Sequence, residues 1–369
     1  MDDALPFISG LELNRAYYEE AVRRILAEYA SDLTYSAALI GYGSDVLGYD
    51  TAISTDHEWG PRLLLFLDEP TYAARADEIS QRLSVKLPTD FRGYSTGFSA
   101  RDAEGVCLME PATPGVVRHH IDFHTIRGFF AQELGVDPDT RLNAVGWLLI
   151  PQQRLLGVTS GAVFHDGLQA LVPLREKLVF YPRDVWLYLL AAQWTRISQE
   201  EAFVGRCGDL GDDLGSQVIA ARLVRDLMRL CFLMERRYFP YSKWLGTAFS
   251  RLDCGPRLQP ILFDALSASD WHERERSLSA AYEIVAAMHN ALDLTPPLDT
   301  AVSPYYGRPY LTLYARRFAE ALVMAINDPA MRGIIERVGL IGGIDQVADS
   351  VDLLTDTNLC TRLRAIYAG

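Results

Sequence analysis

The chain has 369 residues, 49% hydrophobic and 22% charged, enough for two domains of about 150–200 residues each. A net charge of −13 with no basic stripe argues against a nucleic-acid partner, and no apolar run approaches the ~18 residues of a membrane helix. Five cysteines, odd in number and without pairing spacing, argue against a disulfide framework; with an acidic start, Met1-Asp2-Asp3, they point to the cytoplasm and no signal peptide.

Residues 14–31 place Tyr18, Val22, Ile25, Leu26 and Tyr29 at helical spacing, predicting an amphipathic helix. Residues 36–42 form a short apolar run that enters Gly43-Ser44, which predicts a buried strand. A second strand is expected at 63–67, a helix at 72–85, and further strands at 91–99 and 116–124 around a Gly- and Pro-rich loop. Beyond residue 135 the character changes. Residues 183–197, 216–238, 271–292 and 309–327 all show helical periodicity with few β-branched runs. The expected class is α+β: a domain with a mixed sheet over 1–135, then a mostly helical domain over 136–369. The break is placed where Gly, Pro and Asp punctuate 135–139.

One constellation carries chemistry. Gly43-Ser44 is followed, eleven residues on, by Asp56-His57-Glu58. Glycine allows close backbone approach to a phosphate, and the serine hydroxyl and amides donate to its oxygens. Two acids one residue apart share a side if the segment is extended, and together they suit hard, oxygen-loving Mg²⁺. Asp122, between Ile121 and Phe123 on the last expected strand of this half, is the candidate third carboxylate. Trp59-Gly60-Pro61 breaks the pattern directly after the acids. Proline cannot donate to a ladder, so the strand is expected to break or to start at Arg62, leaving the acids on a turn at its entrance.

These residues resemble the nucleotidyltransferase superfamily with the polymerase-β fold. More closely, the chain resembles an uncharacterised bacterial domain-of-unknown-function family within it. The matching words are GYGSDVLGYDTAISTDHEWGPR at 41–62, HIDFHT at 120–125, YFPYSKWLG at 238–246 and GGIDQVADSVDLL at 342–354. Acid-x-Glu is also similar to the aminoglycoside nucleotidyltransferases. The resemblance implies a polymerase-β-like N-terminal domain in which Asp56, Glu58 and Asp122 bind two Mg²⁺ ions and are catalytic, with Asp122 acting on the attacking hydroxyl. Gly43 and Ser44 would hold the phosphates of an NTP, ATP first, in a cleft between the two halves.

Other candidates are weaker. Arg62 could reach a phosphate, though a surface or ion-paired arginine is the favoured reading. Tyr238 could stack on a base and Lys243 could neutralise phosphate charge, against the reading of an aromatic helix junction with a surface lysine. The helical half would supply an acceptor wall from Gln199-Glu200-Glu201, Arg206 to Asp213 and Tyr238 to Lys243, unless these only cap helices. A small-molecule acceptor is expected first, a protein second and nucleic acid last, with no membrane partner; a homodimer is compatible. Two other readings stand beside this one. The fold could bind nucleotide without turnover, as a regulator. Or His120, Asp122 and His124, alternating along one strand, could hold Zn or Fe in a metal hydrolase.

Overall fold

Two fully buried apolar runs make the middle of one sheet. Ser36–Leu39 (β1) and Arg62–Leu67 (β2) pair antiparallel, with Ala37 opposite Leu65. His120–Thr125 (β3) lies parallel to β2, and Ala162–Asp166 (β4) antiparallel to β1, giving a mixed sheet of order β3-β2-β1-β4. The structure is a computed structural model that describes residues 7–102, 105–137 and 142–368, except for the side chains of Asp56 and Ala368.

Strand alternation divides the sheet into two faces. Ala37, Leu63, Leu65, Leu67 and Ile121 join Leu13, Tyr17, Val22, Leu26, Ile79 and Leu83 in one hydrophobic core. The helical members come from Gly10–Tyr17 and Arg23–Tyr29, joined through a wide π turn at Tyr18–Val22, and from Glu69–Lys86. The first helix therefore starts before the expected residue 14, where the Ser9 side chain accepts from the Glu12 amide. The other face carries Arg62 in register with His120, Leu64 with Asp122, and Phe66 with His124. The polar side of β3 is thus set against the start of β2.

Pro61 ends the irregular segment and the ladder begins at Arg62. The Arg62 amide donates to Asn14 Oδ1 at 2.6 Å. The expected strand at 91–99 is instead a set of two-residue ladders: Asp90–Phe91 pairs with Tyr94–Ser95, and Gly97–Phe98 with Met109–Glu110. Positive φ at Arg92 and Gly93 turns the chain between the first pair. The second pair closes a hairpin that carries Arg101 and Cys107.

The chain forms two compact units, 1–141 with 154–179, and 142–153 with 180–369. The expectation of a single division at 135–136 differs from this path, because the chain leaves the first unit, returns and leaves again. β4 lies in the returning piece. Its five residues sit between helices, and their short alternation is submerged in helical periodicity.

The second unit is helical. Arg183–Glu200 is buried nearly all round, as expected of a central helix. Trp194 stacks on Phe318 at 4.6 Å, and Gln193 Nε2 donates to Asp226 Oδ1 at 3.0 Å. The helix expected over 309–327 begins only at Arg316, because Leu311–Thr312 pairs with Ser303–Pro304 as a short ladder.

One buried ion pair fixes the turn after β1. Arg62 Nε and Nη2 donate to Asp45 Oδ2 and Oδ1 at 3.1 and 2.8 Å, and Nη2 also donates to the Tyr42 carbonyl at 3.0 Å. Both side chains are at most 5% exposed. Removing one partner strands a charge without solvent. Arg62→Met is therefore expected to destabilise the chain by about 3–5 kcal/mol in urea unfolding; a loss below about 1 kcal/mol would contradict the buried-pair account.

Candidate functional site

The Gly-Ser turn is shaped by what crowds it. Gly43 has φ 126°, a conformation that L side chains rarely adopt. A Cβ there would lie 2.3 Å from Asp45 Oδ1 and 2.4 Å from Arg62 Nη2. Only glycine lets the ion pair and the turn coexist. Ser44 opens a four-residue helix, Ser44–Leu47; it is half-buried, and its hydroxyl makes no hydrogen bond among the described residues. Arg62 was a phosphate candidate, and its placement corrects that expectation. The guanidinium is buried and spent on Asp45 and the turn carbonyl, so it holds the turn from behind.

Glu58 stands beside this turn, at the strand entrance. Its φ of 48° is sparsely populated for a glutamate and is held by three bonds. Its amide donates to the Cys107 carbonyl at 3.0 Å, its Oε1 accepts from the Cys107 amide at 2.7 Å, and its Oε2 accepts from the Tyr42 hydroxyl at 2.8 Å. Tyr42 thus links the Gly-Ser turn to the acid. Asp56 ends the short 3₁₀ helix Ala52–Asp56; its side chain lies outside the described residues.

The sheet brings Asp122 to Glu58, and Arg101 joins them. Its Nη2 donates to Asp122 Oδ2 at 2.8 Å, and its Nη1 lies 3.4 Å from Glu58 Oε1. His120 Nε2 lies 3.0 Å from Arg101 Nη2, 3.6 Å from Glu58 Oε2 and 3.5 Å from Asp122 Oδ2. Cys107 Sγ is 3.5 Å from His120 Nδ1, and Phe98 packs edge-on against the imidazole. Arg101, Cys107 and His120 complete the cluster; His120 was a candidate from the sequence, beside Asp122, and the sequence reading missed Arg101 and Cys107. Arg101 and Cys107 lie on a hairpin whose ladder is too short to read.

The electrostatics reflect this packing. Burial raises the Glu58 carboxyl, but the Cys107 amide, the Tyr42 hydroxyl and His120 outweigh that and hold it below its usual value. Burial likewise raises Asp122; His120 and Arg101 overcome it and bring the group to about 2. The Cys107 thiol is pushed up to about 12 by burial and by Glu58. Both acids are therefore anionic near neutrality, with one guanidinium between them. This donor set fits a divalent cation such as Mg²⁺: hard oxygens converge where the protein already places a positive charge. Glu58 and Asp122 would hold such an ion.

Other candidates lie elsewhere. His124 packs on Phe66 and Phe129, with ring centroids 6.2 and 5.4 Å away. In the second unit Tyr238 is 5% exposed and packed between Phe180 and Tyr181, which corrects its reading as a base-stacking residue. Lys243 is exposed, its ammonium 5.0 Å from the Trp244 ring centroid. The polar insertions proposed as an acceptor wall largely serve backbone ends. Glu201 accepts from the Leu313 and Ala315 amides, and Asp212 from Gly215. The 342–354 word is likewise structural: Asp345 accepts from the Gln152 amide at 2.9 Å, and Asp349 pairs with Arg225.

Comparison with known proteins bears on the chain at this point. Residues 147–245 match the family model of a domain of unknown function, DUF4037. The resemblance to an uncharacterised family is borne out over that stretch. No curated protein matches the chain significantly. A solved structure described as a nucleotidyltransferase-like protein from Exiguobacterium sibiricum 255-15 is similar over 95% of this chain and 88% of its own. The two are 13% identical with a TM-score of 0.33.

The low Asp122 value has a consequence for stability. A carboxyl moved from its ordinary 3.8 to about 2 adds stability that is complete above the unfolded value and is lost as pH falls through about 2. Urea midpoints measured across that window should fall more steeply for the native chain than for Asp122→Asn. Parallel curves would mean that the carboxylate gains nothing from Arg101 and His120.

Proposed function

We propose that the chain is a metal-dependent nucleotidyltransferase, passing a nucleoside monophosphate from an NTP to a hydroxyl and releasing pyrophosphate. The observation that carries this reading is the meeting of Glu58 and Asp122 on one cation, beside the turn that presents Ser44. Acids so distant in sequence are held together on Arg101, and a cation-dependent reaction would use the same pair of carboxylates. Mg²⁺, held by Glu58, Asp122 and Asp56, would supply charge neutralisation to the triphosphate. Ser44 and the backbone of the Gly43 turn would donate to phosphate oxygens. Asp122, half-exposed and ionised, would take the proton of the attacking hydroxyl. The polymerase-β-like fold belongs to this proposal; the mixed sheet carries Asp122, while Glu58 stands on the turn before β2 and Asp56 ends a short 3₁₀ helix.

ATP is the first NTP to try. For the acceptor we favour a small molecule, then a protein side chain, then nucleic acid. The ordering rests on the net charge of −13, which repels a polyanion.

A second reading has its own support. Arg101 already satisfies both acids, and both oxygens of Glu58 are engaged. A protein that binds nucleotide and does not turn it over would keep this arrangement.

Calorimetric titration with each NTP and Mg²⁺, followed by a pyrophosphate-release assay over an acceptor panel, separates the two. Glu58→Gln is expected to weaken Mg-dependent NTP binding by about tenfold or more, since a charged ligand is lost. Asp122→Asn should keep much of that binding and lower turnover by about 10²–10⁴. The transferase reading fails if no NTP binds with Mg²⁺. Binding without pyrophosphate release supports the regulator.

A further inference from the structure

We propose that Glu58, Cys107 and His120 form a three-ligand binding site for a zinc-class divalent ion, with Asp122 at its edge. The site shares its carboxylates with the nucleotide chemistry but does not depend on that reading, because the thiol and the imidazole have no part in it.

The donor chemistry is the first argument. A thiolate, an imidazole nitrogen and carboxylate oxygens together suit Zn²⁺, whereas Mg²⁺ has little use for sulfur. The three ligand atoms of Glu58, Cys107 and His120 all lie within 4.8 Å of one another. His120 Nε2 is 3.9 Å from Cys107 Sγ, 3.6 Å from Glu58 Oε2 and 3.5 Å from Asp122 Oδ2. A tetrahedral ion with bonds of about 2.0–2.3 Å separates its ligands by about 3.3–3.8 Å. The edges that meet at the imidazole already have nearly that length.

The second argument is that a cation is already present in side-chain form. Arg101 Nη2 is 3.0 Å from His120 Nε2 and 2.8 Å from Asp122 Oδ2. Arg101 thus occupies the place beside Nε2 and Oδ2 that a metal ion would take. The Arg101 side chain is 41% exposed, while those of Glu58 and His120 are 10% and 4% exposed. The displaceable member therefore faces water and the ligands lie behind it. Binding needs the guanidinium to swing out and the Cys107 proton to leave for solvent. The ligands come from the turn before β2, from the hairpin and from β3, so each is held by a different element. The proposal differs from a His120–His124 site, because His124 is packed against Phe66 and Phe129. Zn²⁺ and Mg²⁺ would compete for Glu58 and Asp122.

The test is titration of the full-length chain with Co²⁺, which reports thiolate ligation by a near-ultraviolet charge-transfer band and needs no nucleotide. A band that saturates at one equivalent and disappears in Cys107→Ser is expected. Absence of the band, or a band that persists in Cys107→Ser, overturns the site. Should Cys107→Ser fail to fold, Arg101→Ala decides: it keeps all three donors and removes the competing cation, so Co²⁺ must bind it more tightly. Unchanged or weaker binding to Arg101→Ala also overturns the site. These readouts stand or fall separately from Mg-dependent NTP binding.

Discussion

The Arg62 guanidinium has no route to water, and the local order of the first unit depends on how that charge is met. Its fork is closed by Asp45, and its remaining donor reaches the carbonyl of Tyr42. The turn after β1 cannot relax without stranding a buried charge. Tyr42 is thereby placed to reach Glu58, Glu58 is clipped to Cys107, and the Cys107 hairpin brings Arg101 back to Asp122. One desolvated ion pair therefore sets the position of the side chains from which the site is built.

The site is anionic within an anionic protein. Two carboxylates held below their ordinary range sit together, and one arginine compensates them. A triphosphate approaching such a place meets repulsion unless cations arrive first or with it. This ordering is what a metal–nucleotide complex would satisfy and a bare nucleotide would not. The presence of Cys107 and His120 in the same shell makes the choice of cation a chemical question. Oxygen donors accept a hard ion, and sulfur with nitrogen favours a softer one.

Much of the first unit was legible in the sequence, for physical reasons. The start of β2 at Arg62 followed from the missing N–H of Pro61, and the Gly-Ser turn from an apolar run ending in glycine. Asp122 was placed correctly on a strand because β-branched and aromatic neighbours alternate around it. Arg62 shows where reading stops. An arginine after an acid pair looks the same whether it faces ligand or core, and only burial against Asp45, far upstream, decides between them. Arg101 and Cys107 reach the site through two-residue ladders that leave no periodic trace. Tyr238 failed for the opposite reason: its aromatic setting suggested a stacking platform, and the same aromatics enclose it.

The late return of the chain to its first unit has a consequence for synthesis. Until residues 162–166 emerge from the ribosome, β1 has an unpaired edge, because β4 follows the rest of the sheet in the chain. The Gly41 amide lacks its native acceptor until Gly157 arrives, and Gly157 must come so close that a Cβ on it would meet the Gly41 carbonyl oxygen at 2.4 Å. The nascent first unit therefore carries an open strand edge through the translation of the connecting segment, and an exposed edge invites pairing with other chains. Slowing elongation over residues 142–166 would lengthen the life of that edge, and with it the protein's need for a chaperone.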